Sequence, residues 1–285
     1  MNLDFWHAVR ARGYRLPEHA DLGALTDELL AMLGSPDGDL RDDIAYATLA
    51  TWLRERRYTT QELHTMGGQM VNNLRVGVGE EESDSVFLRA FSVLILGEIV
   101  ALDAQDPQLH AALVREWAAE ASRYLRLERD ERGYVPGHGW AHAAAHTADC
   151  LSAIAAHPAT DAADLREILT SVADRILRPA AQVFLHDEDE RLAFACLAVL
   201  RRAEIAREDV LTWCARFDHP EEGGNWQTAS SREEGARTYV NVKAFLRSLY
   251  FQLLWTKNQP PHRDDVLKSV LETIRGVGWT FACLE

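Results

Sequence analysis

The sequence predicts an all-α protein, built as one right-handed stack of helix hairpins with HEAT-like or α-α superhelical character. Apolar residues recur at helical spacing through nearly the whole chain, and no segment shows the alternation of a half-buried strand. Most connections are short, which favours antiparallel neighbours. Polar stripes also recur about every 45–57 residues, close to the period of HEAT-type helix pairs. The whole chain, 1–285, is therefore predicted to form a single helical-repeat domain.

The N-terminal helices are predicted from periodicity and capping residues. A short helix runs from Phe5 to Arg12 and is stopped by Gly13. Asp21 caps a second helix whose inward leucines are Leu22, Leu25, Leu29 and Leu33. Periodicity and capping are the only support for the assignments in residues 1–84.

Two further signals continue the pattern. After a turn at residues 35–38, a helix is predicted from Asp42 to Arg57. Thr59 and Glu62 form a capping box that starts the next helix. Apolar periodicity then predicts the remaining helices at Asp84–Leu102, Gln108–Leu127, Trp140–Ala156, Ala162–Leu177, Glu188–Ala203, Arg207–Phe217, Glu234–Trp255 and Asp264–Gly276.

Two connections are longer than the others, and long loops in a compact helical protein are often functional. The first runs from Glu128 to Gly139, and the second from Asp218 to Glu233. Asn225 and Trp226 follow two glycines in the second loop, which could fold over the site as a lid.

Composition limits the function classes. The chain is 47% hydrophobic, enough to bury a sizeable core, and its formal net charge is −14. An acidic surface repels polyanions, so nucleic acid is an unlikely partner. No leader is recognised, and no apolar run is expected to span a membrane, which predicts a cytoplasmic protein. The four cysteines, Cys150, Cys196, Cys214 and Cys283, lack ligand spacing and are expected to be reduced small hydrophobic groups.

The most informative segment joins the first long loop to a helix. His142, His146 and Asp149 fall at i, i+4 and i+7, which places them on one face of a helix, while Trp140 is expected on the opposite, core face. Three other segments keep all or part of this polar offset: Ser85/Arg89/Ser92, Asp187/Arg191/Phe194 and Lys243/Arg247/Tyr250. If each stripe belongs to the inner helix of a pair, stacking would line the stripes along one concave surface.

The residues around these stripes resemble the bacterial domain-of-unknown-function family 2785. The matching pieces are Phe87–Leu96, Asp130–Val135, Gly139–Asp149, Asp189–Ala193 and Asn241–Phe251. The Gly-Trp-Ala-His segment is the most specific of them. The resemblance covers most of the chain from about residue 85 onward. It implies an all-helical protein and no known reaction.

Three hypotheses explain the histidines. Two imidazoles at i, i+4 could hold a divalent metal with Asp149 as a third ligand, although Ala143 replaces the glutamate of an HExxH protease. His142, His146 and Asp149 could instead bind a polar ligand or perform acid/base catalysis near neutral pH. The simplest alternative makes them buried, hydrogen-bonded groups that hold the long loop in place.

The leading prediction is a protein that binds a small polar or anionic molecule, or a peptide, in a concave pocket without a required cofactor. A guanidinium offers a planar fork to carboxylate or phosphate, and internal ion pairing is the alternative use. The predicted ligand-binding residues are Arg89, Tyr134, His138, Trp140, His142, His146, Asp149, Glu190, Arg191, Trp226, Lys243, Arg247 and Tyr250.

Two other functions stay open: a His/Asp-dependent hydrolase or lyase, with or without metal, and a protein-interaction scaffold. A glycosidase would need a second carboxylate such as Glu128 or Asp130 near the imidazoles. The sequence contains no phosphate-binding glycine loop and no GxSxG nucleophile elbow. The ligand, any reaction and the oligomeric state are not determined by the sequence.

Overall fold

The computed structural model describes residues 2–221 and 223–277, and helices account for most of them. The all-α prediction is therefore confirmed, whereas the HEAT-like superhelical geometry stays a prediction. In chain order, the α-helices are α1 Leu3–Ala11, α2 Leu22–Met32, α3 Ala47–Arg54, α4 Thr60–Asn73, α5 Ser85–Asp103, α6 Ala111–Leu127, α7 Ala143–Ala156, α8 Ala162–Leu177, α9 Glu188–Arg201, α10 Arg207–Ala215, α11 Trp226–Ala229, α12 Glu233–Trp255 and α13 Arg263–Val277.

Two predicted helix starts are made by the predicted caps. The Asp21 carboxylate accepts a hydrogen bond from the backbone N–H of Ala24, and α2 begins at the next residue after Asp21. Thr59 and Glu62 exchange side-chain and backbone bonds in a complete capping box. These contacts satisfy N–H groups that a helix leaves unpaired at its N-terminus.

The predicted helix from Asp42 to Arg57 differs from the structure in its first half. A π-helix occupies Asp39–Tyr46 and passes directly into α3. An apolar pattern over only eight residues is too short to distinguish the two helix types, because their periods differ by less than one residue per turn. The π-helix buries Arg41 and Ile44 and leaves Tyr46 half-buried.

The predicted helix from Trp140 begins three residues later than expected. Tyr134–Val135 (β1) and Gly139–Trp140 (β2) form a short antiparallel hairpin, with Tyr134 opposite Trp140. Gly137 and Gly139 both have φ near +80°, a conformation that glycine adopts without strain. Trp140 therefore belongs to a strand and is 39% exposed, so the prediction that it faces the core was wrong.

Helices α5, α7, α9 and α12 pack side by side in that order. Contacts at both ends of each interface show that neighbours run parallel: Ala90 lies near His146 and Gly97 near Cys150, between α5 and α7. A Cβ atom on Gly97 would lie 2.9 Å from the Cα of Cys150, so glycine permits this close approach. We call these four helices the inner layer.

Helices α6, α8 and α10 connect successive inner helices, α4 precedes the first of them, and α6 packs against α8. Since the inner helices run parallel, the connections that enter them all lie at one end of the fold. These connections are 74–84, 128–142, 178–187 and 219–232. His142 and the hairpin are at this end.

Helix α5 is at the centre of the packing. Among the described residues it is the one helix long and apolar enough to cross a membrane, with a mean hydropathy of 2.0. We expected no apolar run that could span a membrane. That expectation was wrong for α5, because the charges of Arg89 and Glu98 are too few to offset its apolar residues. Of the apolar window, 72% is buried within the protein, as in a core helix.

Buried apolar residues from Trp6 to Val277 form one contiguous cluster. Cys150, Cys196 and Cys214 are buried free thiols that pack within it, and Cys283 lies outside the described residues. Burial raises the pKa of all three thiols, which keeps them protonated at neutral pH.

Candidate functional site

Buried ion pairs hold the connection 128–142 against the helices. The Arg89 guanidinium donates two hydrogen bonds to the Glu128 carboxylate, from Nε at 2.6 Å and from Nη2 at 3.0 Å. Its Nη1 donates to the Val76 carbonyl and the Ser85 hydroxyl. Arg89 is fully buried, so its guanidinium is part of the interior and does not face a ligand.

Two more carboxylates of this connection are paired in the same way. Asp130 accepts from Arg132, and Glu131 lies 3.1 Å from both Arg175 and Arg178. Burial raises the pKa of Glu131, but the two guanidiniums outweigh burial and lower it overall. Glu128 and Asp130 are thus engaged by arginines, and the geometry does not offer either as a glycosidase carboxylate.

The hairpin is held from the other side by the N-terminal region. Arg41 Nη2 donates to the His138 carbonyl at 2.7 Å, and the ring of His138 is 3.1 Å from the Pro36 carbonyl. The Arg41 guanidinium also lies over the Phe87 ring, 4.1 Å from its centroid. His138 therefore serves to attach the hairpin to residues 36–41.

His142 is the residue immediately before α7 and has a left-handed backbone, with φ of 54°. Its Nε2–H donates to the His186 carbonyl at 2.6 Å, and the Glu188 carboxylate lies 3.5 Å from the same nitrogen. A carbonyl can only accept, so Nε2 of His142 carries a proton. The left-handed conformation costs free energy that the surrounding contacts must offset.

His146 lies one turn into α7 and is also buried. Its Nδ1–H donates to the Ala90 carbonyl at 3.2 Å, which leaves the lone pair on Nε2. Burial, together with the nearby His142 and Arg191, lowers the pKa of His146 to about 3. The imidazole is therefore neutral at physiological pH and is a weak base.

These rings belong to a continuous row that we call the aromatic column. Successive ring centroids are separated by 5.1, 4.7, 5.6, 5.0 and 6.1 Å. The column starts at half-exposed Tyr134, passes through the interior and ends at half-buried Tyr46. Its members in order are Tyr134, Trp140, His142, His146, Phe91 and Tyr46. Trp140 lies flat on His142, with 20° between the two planes, and Tyr134 is 50% exposed. An exposed indole stacked on a buried imidazole is a preformed surface for stacking.

Two half-exposed ion pairs lie beside the aromatic column. Arg191 Nη1 donates to Asp149 Oδ2 at 2.5 Å, across the interface of α7 and α9. Burial raises the pKa of Asp149, and Arg191 and His142 oppose the shift through their proximity. At the Tyr46 end, Glu98 accepts from the Tyr46 hydroxyl at 3.0 Å and from Arg54 at 2.5 Å. Each cation in this region has its own carboxylate.

The structure thus brings together five predicted residues: Tyr134, Trp140, His142, His146 and Asp149, with Arg191 as their neighbour. It places the others elsewhere. Lys243 lies over the Tyr239 ring, and Arg247 is exposed on α12. Tyr250 contacts Phe251, and Glu190 is exposed at the start of α9.

Trp226 is buried, and its indole N–H donates to the Phe217 carbonyl at 3.0 Å. It borders a cavity of about 250 Å³ between the end of α8 and the start of α12, which the aromatic column does not line. Glu222, part of the same predicted loop, lies outside the described residues. The lid role of Trp226 stays a prediction.

No group of three His, Cys, Asp or Glu side chains in residues 2–221 and 223–277 is arranged to hold a metal ion. The structure uses one nitrogen of His142 and one of His146 to donate to carbonyls, and it pairs Asp149 with an arginine. The predicted metal ligands are near one another, but their geometry serves hydrogen bonding.

Several site residues were not predicted. Phe91 and Glu98 are at i and i+7 on α5, the same helical spacing that identified the histidines, so that signal was present. His186 and Glu188 flank the start of a predicted stripe. Tyr46 and Arg54 come from the region before residue 85, in which no sequence pattern indicated a site.

Comparison with known proteins gives one positive finding. Residues 74–251 match the profile of a family described as "Protein of unknown function (DUF2785)". No curated protein and no solved structure matches the chain. The match includes α5 to α9 and most of α12, and hence all of the aromatic column except Tyr46. The chain therefore belongs to the DUF2785 family of proteins of unknown function.

Proposed function

We propose that this protein binds a small, polar, uncharged molecule that carries a flat ring, with the ring stacked on Trp140. The observation that carries the proposal is the Trp140 indole, 39% exposed and stacked on the buried His142 ring. Large exposed aromatic rings held rigidly by their neighbours are typical of ligand-binding surfaces.

The polar contacts would come from the Asp149–Arg191 pair. Both side chains are about 38–39% exposed, and together they offer hydrogen-bond acceptors and donors. Because each of the nearby charges already has a partner, an anionic ligand would have to displace a carboxylate. A neutral ligand can hydrogen-bond to both members of the pair without separating them.

Acid/base catalysis is less well supported than binding. An efficient general base has a pKa near the working pH, and the pKa of His146 is lowered to about 3. The single free nitrogen of His146 is better suited to accept a hydrogen bond from a ligand than to remove a proton from one.

Saturation-transfer NMR with three probes tests the proposal. Adenosine and uridine carry neutral, flat rings, and succinate is an anion without a ring. We expect at least one neutral probe to receive magnetisation at its ring protons, and Trp140→Ala to weaken its affinity about tenfold or more, as loss of a central aromatic contact does.

Leu3→Ala is the matched control, since Leu3 is similarly exposed and lies on α1, away from the aromatic column. Thermal unfolding of both variants checks that the fold is kept. Binding of succinate alone, no binding of either ring, or equal binding by wild type and Trp140→Ala would each contradict the proposal.

A further inference from the structure

Helix α12 exposes an apolar strip that the ligand site does not use. Phe251 is 45% exposed, Leu254 is 43% exposed and Trp255 is 73% exposed. The rings of Phe251 and Trp255 pack together, with centroids 5.1 Å apart. Large exposed apolar patches on a folded protein mark interaction surfaces more often than chance.

Positive charge accompanies this strip. Lys243 and Arg247 precede Phe251 by two helical turns and one turn, so all three lie along one face of α12. Among residues 2–221 and 223–277, no carboxylate lies within 4 Å of Lys243 or Arg247. Exposed Lys257 adds a further charge just beyond the end of the helix.

This arrangement is unusual for so acidic a chain. The protein carries 44 acidic and 30 basic residues, and most arginines of its helices are paired with a carboxylate. The strip differs from this pattern, since its two cations form no ion pair among the described residues and adjoin exposed aromatic residues, with Asp189 and Glu190 of α9 alongside. Its electrostatic complement is a partner that carries acidic groups beside apolar ones.

We infer that the strip Lys243, Arg247, Phe251, Leu254 and Trp255, the α12 patch, binds an acidic amphipathic helix of a partner protein. The patch extends over 13 residues of helix, about 18 Å from the first to the last, which matches about three turns of a partner helix. Leucine-type side chains of the partner would cover Phe251 and Trp255, and its carboxylates would pair with Lys243 and Arg247. This interaction is separate from the ligand proposal.

A second copy of the chain fits less well. Two α12 patches paired across a two-fold axis would bring Lys243 and Arg247 of each protomer near those of the other. Like charges placed together in an interface are destabilising. The net charge of −14 opposes a flat anionic membrane more than a single acidic helix, because a membrane would also face the acidic surface beside the patch.

Fluorescence anisotropy with a designed peptide tests the inference on the full chain. The probe is a fluorescein-labelled helix of about three heptads with leucine on one face and glutamate on the others. We expect wild type to bind it, Trp255→Ala and Arg247→Glu each to weaken binding about tenfold or more, and added salt to weaken it further.

Controls match each variant in type. Arg275→Glu makes the same charge change at an exposed arginine of α13, and Leu127→Ala removes an exposed leucine of α6. Both should bind the probe as wild type does. A peptide of the same design with lysine in place of glutamate should not bind.

Four kinds of result would overturn the inference. The first concerns the acidic probe itself: either it does not bind wild type, or it binds wild type and both patch variants equally. The second is equal binding of the lysine peptide. The third is a Trp255-dependent dimer in sedimentation that excludes the probe, which would assign the patch to a second copy. The fourth is Arg247-dependent binding to phosphatidylcholine–phosphatidylserine vesicles without binding of the peptide, which would assign it to a membrane.

Discussion

The connections 128–142 and 219–232 have similar sequence signals but different physical anchors. Both are long, contain glycine and lead into an inner helix. The first is held by carboxylates that reach buried guanidiniums on α5 and α8. The second is held by one indole, Trp226, while Gly223 and Gly224 have no neighbouring atoms where a Cβ would lie.

The difference shows what glycine and charge each contribute. Glycine permits a turn but does not determine which part of the fold the turn packs against. Acidic residues in a loop specify an attachment only if a buried cation is available, because a buried charge without a partner is strongly unfavourable. Connection 128–142 has such partners and therefore presents Trp140 and His142 in a fixed geometry.

The largest expected effect separates the two connections by stability. Glu131→Gln leaves Arg175 and Arg178 without their carboxylate in a buried site, and we expect a loss of about 3–5 kcal/mol of unfolding free energy. Glu221→Gln changes an exposed glutamate of the second connection and should cost less than about 0.5 kcal/mol. Urea unfolding at neutral pH measures both. A small effect of Glu131→Gln would show that the ion pairs do not anchor the first connection.

A second prediction concerns the pH dependence of stability. It compares His146, which lies four residues after the first connection, with exposed His219 in the second connection. Burial lowers the pKa of His146 from its ordinary value of 6.5 to about 3. Between these values the unfolded chain binds a proton that the folded chain does not, so stability is complete above the unfolded pKa and falls as pH decreases.

From pH 7 to about 4.5, this one group should remove about 2–3 kcal/mol of stability. The His146→Gln variant can still donate to the Ala90 carbonyl. On acidification its unfolding free energy should fall by about 2–3 kcal/mol less than that of wild type. His219→Gln should lose the same amount as wild type. Urea unfolding at the two pH values checks this, and equal acid sensitivity in His146→Gln and wild type would show that His146 is not kept neutral by the fold.

The smallest stability effect is expected at the Asp149–Arg191 pair of the proposed ligand site. Asp149→Asn breaks a half-exposed ion pair, which contributes about 0–1 kcal/mol to stability. We expect unchanged folding but weaker binding of the ring probe that wild type binds. Asp209→Asn breaks the comparably exposed Arg166–Asp209 pair and should leave binding unchanged. Equal probe affinity in Asp149→Asn and wild type would remove Asp149 from the proposed site.

Local signals predicted the helices well, because caps and apolar spacing are properties of neighbouring residues. Asp21 and the Thr59–Glu62 box begin helices where expected. The i, i+4 spacing also brought His142 and His146 together, although His142 precedes the helix; their ring centroids are 5.6 Å apart.

Long-range pairing could not be predicted in the same way. Arg89 was expected to face a ligand, but its partner Glu128 is 39 residues away and buries it. Trp140 was assigned to a helical core face because the turn at Gly137–Gly139, which reverses the chain into a hairpin, was not recognised. The aromatic column likewise depends on residues from four separate segments of the chain.

The π-helix at Asp39–Tyr46 makes the N-terminal segment sensitive to its own length. It contains wider turns than an α-helix, and it delivers Arg41 to the hairpin and Tyr46 to Glu98 at the same time. Removing a single residue there would rotate every position on one side of the deletion by roughly a quarter turn relative to the other. Natural homologues that keep the aromatic column should therefore tolerate substitutions in this segment far more readily than insertions or deletions.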